Sequence, residues 1–318
     1  MKIAIVGYGV EGRSNYRYYR AKYPKAEIVI FDERAQLDDT PEGAQLVLVS
    51  GAFAQVKGFD LILRSPSVAP DRIKQADHHW SATREFLRQS PAPIIGVTGS
   101  KGKGTTCSLI ASILRQHLAD RPERHVHLLG NIGVPALDVL PSVGEDDIVV
   151  YELSSFQLWD CTQSPTIAVV TMIEPDHLDV HRTFDEYIDA KSNICRYQQA
   201  NDITIYHPTN IYSQQIALTS GGDGQAYRYG IPDDYQVYAD GVYFMSQNRQ
   251  VCPTDAVQLP GGYNLDNACA AMSAAAMAFP GISPEVYYYG LRSFTGLPHR
   301  LKRVAEKSGV TYYDDSIA

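Results

Sequence analysis

PAPIIGVTGSKGKGTTCSLIASILRQH, residues 91–117, decides the fold. IIGV is a short apolar run of the kind that forms a buried parallel strand. Leu109, Ile110, Ile113 and Leu114 give the segment after the glycines one apolar face to lay on a sheet. Between them Gly96, Gly99 and Gly102 let the backbone wrap closely, so that its amides can point at phosphate oxygens. Lys103 brings a point charge to the β- and γ-phosphates. Strand, glycine loop, lysine and helix agree on a nucleoside-triphosphate loop. One position departs from the pattern. After Gly102-Lys103 stands Gly104, where Ser or Thr normally offers a hydroxyl to Mg²⁺. Thr105 and Thr106 are the neighbouring hydroxyls.

Upstream, KIAIV (2–6) reads as a buried strand, followed by Gly7, Gly9 and Gly12 and a helix-like stretch to about Tyr23. AEIVIFDER (26–34) is a second strand ending near Asp32, twenty residues beyond Gly12, the spacing of the dinucleotide fingerprint. LVLVS (46–50) and LILRS (61–65) read as further strands. Alternating strand and helix predicts a small parallel α/β sheet. The chemistry is less specific than NAD, because any nucleotide diphosphate, a UDP-sugar included, can use a glycine turn at a helix N-terminus.

Downstream, VVYELSSFQL (149–158) ends an apolar strand with Glu152, where a Walker-B-like carboxylate sits. TMIEPDHLDVH (171–181) follows the strand IAVVT and gathers Glu174, Asp176, His177, Asp179 and His181, a candidate ligand cluster. Lys191 lies in FDEYIDAKSNICRY (184–197), a predicted helix, with Tyr187, Ile188 and Ile194 at helical spacing. The bulk properties narrow the classes. The 318 residues exceed one ordinary core, and a formal net charge of -8 speaks against a nucleic-acid-binding surface. Five scattered cysteines without metal spacing read as reduced buried thiols of a cytoplasmic protein. No apolar stretch has the length of a membrane span, and MKIAIVGYGVEG is not a signal peptide.

GNIG (130–133), ELSSFQL (152–158), DHLD (176–179) and FTGLPHR (294–300) resemble motifs of the Mur ligase family, and the resemblance runs over essentially the whole chain. ELSSFQL and FTGLPHR point to the branch that adds D-glutamate. The resemblance implies an α/β fold: a Rossmann-like UDP-sugar domain (1–92), a central P-loop ATPase domain (93–298) and the first hairpin of an amino-acid-binding domain (299–318). It implies that ATP phosphorylates the alanine carboxylate of UDP-N-acetylmuramoyl-L-alanine, and that D-glutamate then attacks the acyl phosphate. UDP-sugar contacts fall on Gly9, Val10, Glu11, Asp32, Arg34, Ser65, Pro66, Asn131, Ser154 and Gln157. ATP contacts fall on Gly99, Ser100, Gly102, Lys103, Gly104, Thr105, Thr106, Asn264, Asn267, Arg300 and Asp315. Thr105, standing in for the missing hydroxyl as in folylpolyglutamate synthases, and Glu152 hold one Mg²⁺. His177 and a carbamylated Lys191 hold the second. Lys103, Glu152, His177, Lys191 and Asn131 form the catalytic set.

HRLKRVAEKSGVTYYDDS (299–316) reads as two strands about Ser308-Gly309. With the chain ending soon after, the expectation is a monomer that binds ligands and ligates poorly. Lys101 and Ile317 depart from the family pattern. Three other readings stay open on the residues: a folylpolyglutamate synthase-like ligase, a nucleotide-binding protein that has lost ligation, and an NAD-dependent dehydrogenase.

Overall fold

The computed structural model describes residues 1–73, 79–130, 134–219, 221–232, 236–298, 302–314 and 316. Its first sheet is parallel throughout, in the order β3-β2-β1-β4-β5. The strands are β1 (Lys2–Val6), β2 (Glu27–Asp32), β3 (Ala44–Leu48), β4 (Leu61–Arg64) and β5 (His79–Trp80). Helix α1 (Val10–Lys22) crosses from β1 to β2, and α2 (Ala82–Gln89) follows β5. The order reverses between β1 and β4. Gly7 after β1 and Ser65 after β4 therefore face one crevice at the strands' carboxyl ends, where open α/β sheets bind ligands.

The second sheet is also parallel, in the order β11-β10-β9-β6-β8-β7. Its strands are β6 (Ile94–Thr98), β7 (Val126–Leu129), β8 (Ile148–Glu152), β9 (Ile167–Val170), β10 (Ile203–Tyr206) and β11 (Gln225–Arg228). β6 and β8 are buried at every position, which is why they read as unbroken apolar runs. The long α3 (Lys103–His117) follows β6; the short α4 (Ala136–Val139) and α5 (Ser155–Leu158) flank β8; α6 (Phe184–Ser192) and α7 (Ile211–Thr219) flank β10. The strand β12 (Tyr238–Ala239) joins β13 (Tyr243–Ser246) and β14 (Arg249–Pro253) in a small antiparallel sheet. α8 (Tyr263–Ala278) and α9 (Pro284–Ser293) then pack on α3, where Gly290 sits so close that a Cβ would meet the Ile113 Cα at 2.7 Å. The chain closes on the expected hairpin, β15 (Lys302–Lys307) and β16 (Val310–Asp314). Its turn places Ser308 at φ 52° and Gly309 at φ 76°.

The α/β fold is as expected, and all five cysteines are free and buried. Two elements differ from their sequence patterns, α6 by being shorter and β3 by starting and ending two residues earlier. α6 stops at Ser192, because 193–197 is turn, with the amides of Asn193, Ile194, Cys195 and Arg196 bonded back to Ala190 O, Lys191 O and Ser192 O. β3 begins at Ala44 and ends at Leu48. One apolar cluster joins the two large sheets, running from Ile3, Ile5 and Ile28 through Phe86 to Tyr151 and Leu158.

Candidate active site

The loop after β6 is tied down from beneath. The Ser100 amide donates to Met172 O at 2.8 Å, and Thr171 Oγ1 donates to Lys101 O at 2.6 Å. Ser100 Oγ donates to Glu174 O, accepts from the Glu174 amide and shares a 2.8 Å bond with the Tyr187 hydroxyl. Ser100 thus spends both its side chain and its amide on anchoring the loop. Gly99 has to be glycine, because a Cβ would lie 1.9 Å from Thr171 Oγ1. Gly102, at φ 83°, caps α3 and leaves Lys103 and Gly104 as the first helical residues. The first turn of α3 carries no acidic residue, so the helix dipole is open to an anion. Lys103 Nζ donates to Ser100 O at 3.1 Å, folded over the loop.

Around this loop the structure gathers the predicted side chains. Glu152 ends β8 and is 5% exposed. Lys191 is 1% exposed; its Nζ donates to Gly99 O at 2.9 Å and to Thr98 Oγ1 at 3.4 Å. Burial, helped by the Lys103 charge, pushes the Lys191 amine well below its ordinary value, against the opposing pull of Asp176 and Glu152. An amine buried against a phosphate loop is uncommon for lysine. His177 stands at φ 53°, half-exposed, its ring 4.9 Å from Phe156. Not all of the acidic–histidine segment serves one site. His181 is fully buried and tilted against Trp159 at 4.1 Å, with Nε2 bonded to Ser155 Oγ. Burial takes it down to about 4, so it is a neutral packing group. Among the described residues no three His, Cys, Asp or Glu side chains converge as a preformed metal cage.

Thr106 is buried and its hydroxyl donates to Asn267 Oδ1 at 3.4 Å, while Thr105 lines a neighbouring cavity of about 430 Å³. Asn264 and Asn267 line the same cavity as Gly102. Asn267 donates to Asn264 Oδ1 at 3.0 Å, and a Cβ on Gly102 would lie 2.4 Å from Asn267 Oδ1. The cavity also takes Lys101, Met172, His207, Tyr229 and Asp266. The last three escaped the sequence reading. His207 and Tyr229 directly follow β10 and β11, and strand ends next to a phosphate loop were the signal that could have found them.

In the first sheet, Ser65 Oγ donates to Gly7 O at 2.6 Å, and a Cβ on Gly12 would meet Gly7 O at 2.2 Å. Asp32 is occupied: it accepts from the Tyr8 amide at 2.8 Å and from the Arg34 amide and guanidinium. Burial alone would raise its carboxyl, but these bonds hold it at about 2. A carboxylate spent on the glycine turn and Arg34 is not the free ribose acceptor of the dinucleotide fingerprint. Gly9 and Val10 are exposed, and Pro66 is half-buried beside Ser65. Glu11 faces inward to Gln157, whose own amide oxygen caps Ser154. Asn131, Arg300, Asp315 and Ile317 lie outside the described residues.

The comparisons with known proteins agree with this geometry. Residues 97–275 match the Mur ligase middle domain. The chain belongs to the Mur ligase family. It is 33% identical to the UDP-N-acetylmuramoylalanine–D-glutamate ligase of Acetivibrio thermocellus, with all of this chain aligned to 70% of that protein. A ligase of the same name from Clostridium acetobutylicum is also 33% identical, again over 70% of its length. Two solved structures share the fold. The MurF ligase of Thermotoga maritima in complex with ADP has a TM-score of 0.55 at 18% identity, covering 99% of this chain and 67% of that one. The UDP-N-acetylmuramate:L-alanyl-gamma-D-glutamyl-meso-diaminopimelate ligase of Neisseria meningitides has a TM-score of 0.59 at 17% identity, covering 93% and 98%. Mur ligases are ATP-dependent peptidoglycan ligases that use Mg²⁺. No helix among the described residues is long and apolar enough to cross a membrane.

Proposed function

We propose that this Mur ligase adds D-glutamate to UDP-N-acetylmuramoyl-L-alanine at the expense of ATP. The observation that carries the reading is the buried Lys191 amine against Gly99 O, beside the residues Glu152 and Lys103 that a phosphoryl-transfer centre needs. The names of the two relatives, ELSSFQL and FTGLPHR support the amino acid. In this reading residues 1–92 hold the UDP-sugar, 93–298 hold ATP, and 299–318 begin the amino-acid-binding part.

Each group then has a task. The α3 N-terminus and Lys103 hold the β- and γ-phosphates, and the cavity beside Asn264 and Asn267 takes the adenosine. The γ-phosphoryl group passes to the alanine carboxylate and leaves ADP. The D-glutamate amine attacks the acyl carbon, loses a proton and expels phosphate. Positioning and charge neutralisation carry such a transfer. Mg²⁺, which needs only one or two carboxylates besides phosphate oxygens, supplies that neutralisation when bound. The donor set of Glu152 and Thr105 fits it. His177 with Lys191 fits a second ion only once the amine carries a carbamate, since an amine that donates to Gly99 O offers no oxygen. The low basicity of Lys191 favours that modification, because only an unprotonated amine adds CO₂.

The test is turnover of UDP-N-acetylmuramoyl-L-alanine, ATP and Mg²⁺ with a panel of amino acids. The expected result is ADP, phosphate and an amide product with D-glutamate alone. Preference for another amino acid, or glutamylation of a folate, would replace this reading.

A further inference from the structure

A helix N-terminus that binds a diphosphate has no use for a carboxylate, which competes for the same positive field. The first turn of α1 nevertheless carries Glu11. Its Oε1 accepts from Gln157 Nε2 at 3.1 Å, and its Oε2 is buried with no hydrogen-bond partner. One turn along, Asn15 is fully buried, and neither its side-chain oxygen nor its nitrogen has a partner. Residues four apart on a helix are neighbours. A carboxylate with an orphan buried oxygen is costly, whereas a carboxylic acid there has an O–H to donate, and Asn15 Oδ1 on the same helix face is an unpaired acceptor.

Among the described residues the donors around it, other than the Asn15 amide, are spent elsewhere. From β4, Arg64 is committed to Asp160, Val68 O and Phe156 O. From β8 comes Tyr151, which shares its hydroxyl with Thr83; after α5 comes Cys161, whose thiol donates to Gln157 O. On α1 itself, Arg13 turns to Asp38 and Asp39. Burial raises the Glu11 carboxyl to about 7, with the Gln157 bond and the Arg64 charge opposing it. On its other side Gln157 is fixed, its Oε1 accepting from the Ser154 amide at 3.0 Å and from Ser154 Oγ at 3.1 Å.

We propose that Glu11 is a positioning residue that works as a neutral acid: it holds the Gln157 amide in place through Oε1 and takes up a solvent proton when a diphosphate occupies the N-terminus of α1. This rests on the UDP-sugar reading of that crevice. Occupancy of the first sheet is thereby linked through Glu11 and Gln157 to the segment that follows Glu152.

The experiment is calorimetric titration of UDP-N-acetylmuramoyl-L-alanine from pH 5.5 to 8.5, in buffers of different ionisation enthalpy, with the wild type, Glu11→Gln and Glu11→Ala. The ligand's diphosphate is a diester and does not itself titrate in this range. The wild type is expected to take up protons, and its affinity to fall above pH 7 by up to about tenfold per pH unit. Glu11→Gln should take up none, keep a flat profile and turn over at least about tenfold faster than Glu11→Ala, because its amide still meets Gln157. Glu11→Ala should also bind with a flat profile but lose at least about tenfold in kcat with KM little changed, because Gln157 is no longer held. Tight binding by the wild type without proton uptake, or equal kcat in the two variants, would overturn the role given to Glu11 alone. No binding by the wild type at any pH would overturn the UDP-sugar reading and this inference with it.

Discussion

At the scale of single residues, the tertiary structure divides side chains that look alike in the chain. His177 and His181 are four apart in one acidic segment, yet one is half-exposed beside Asp176 and the other is sealed against Phe156 and Trp159. Ser100 resembles a phosphate ligand and spends its hydroxyl on Glu174 and Tyr187. Lys191 is a surface lysine by composition and a buried amine of lowered basicity in the fold. Its burial makes a prediction. In ¹³C-bicarbonate the wild type should show a carbamate carbonyl resonance that Lys191→Met lacks, and Lys191→Met should lose at least about 100-fold in turnover while ADP affinity changes less than threefold. A resonance that survives the substitution would assign the carbamate elsewhere.

At the scale of elements, the two glycine turns share one physical demand, a helix brought against a strand end. The Gly12–Gly7 contact lets α1 start directly over β1, and the Gly102–Asn267 contact lets α8 lean on the loop before α3. Because a Cβ at residue 12 would meet backbone, no side-chain rotation relieves it. Gly12→Ala should therefore abolish UDP-sugar binding and leave ADP binding within about twofold, read by titrating both ligands. Loss of both would show that the first glycine turn supports the second site as well. Strands β1, β2, β4, β6, β8 and β9 were legible as apolar runs, and α1 and α3 as the segments after glycines. The end of α6 was not, since 184–197 keeps a helical apolar pattern past the point where the backbone turns.

At the scale of the whole molecule, the two parallel sheets are joined by polar contacts as well as apolar ones. Arg64 is fully buried at the end of β4 and makes a two-point bond to Asp160 beyond α5, at 2.9 and 2.7 Å. Ser14 and Arg17 of α1 reach Asp138 of α4. A buried ion pair adds little net stability over a packed apolar pair, but removing one partner strands the other. Arg64→Met should cost about 3–5 kcal/mol in urea unfolding, and Arg64→Met with Asp160→Leu should recover more than half of that. A double variant no better than the single would mean that the guanidinium's bonds to Val68 O and Phe156 O carry the stability instead.

By itself the sequence determined the α/β class, the phosphate loop and its lysine, the position of Glu152 and the family, because apolar periodicity, glycine spacing and motif are local properties of a chain. It could not say which polar groups are already spent. Asp32 matches the dinucleotide spacing, and only the fold shows it holding Tyr8 and Arg34. Glu11 stands at a helix N-terminus, and only the fold turns it onto Gln157, 146 residues away. Hydrogen bonds between distant segments and the burial that shifts a proton exist only when the chain is closed. For that reason the chemistry of Lys191, His181 and Glu11 was decided by the tertiary structure.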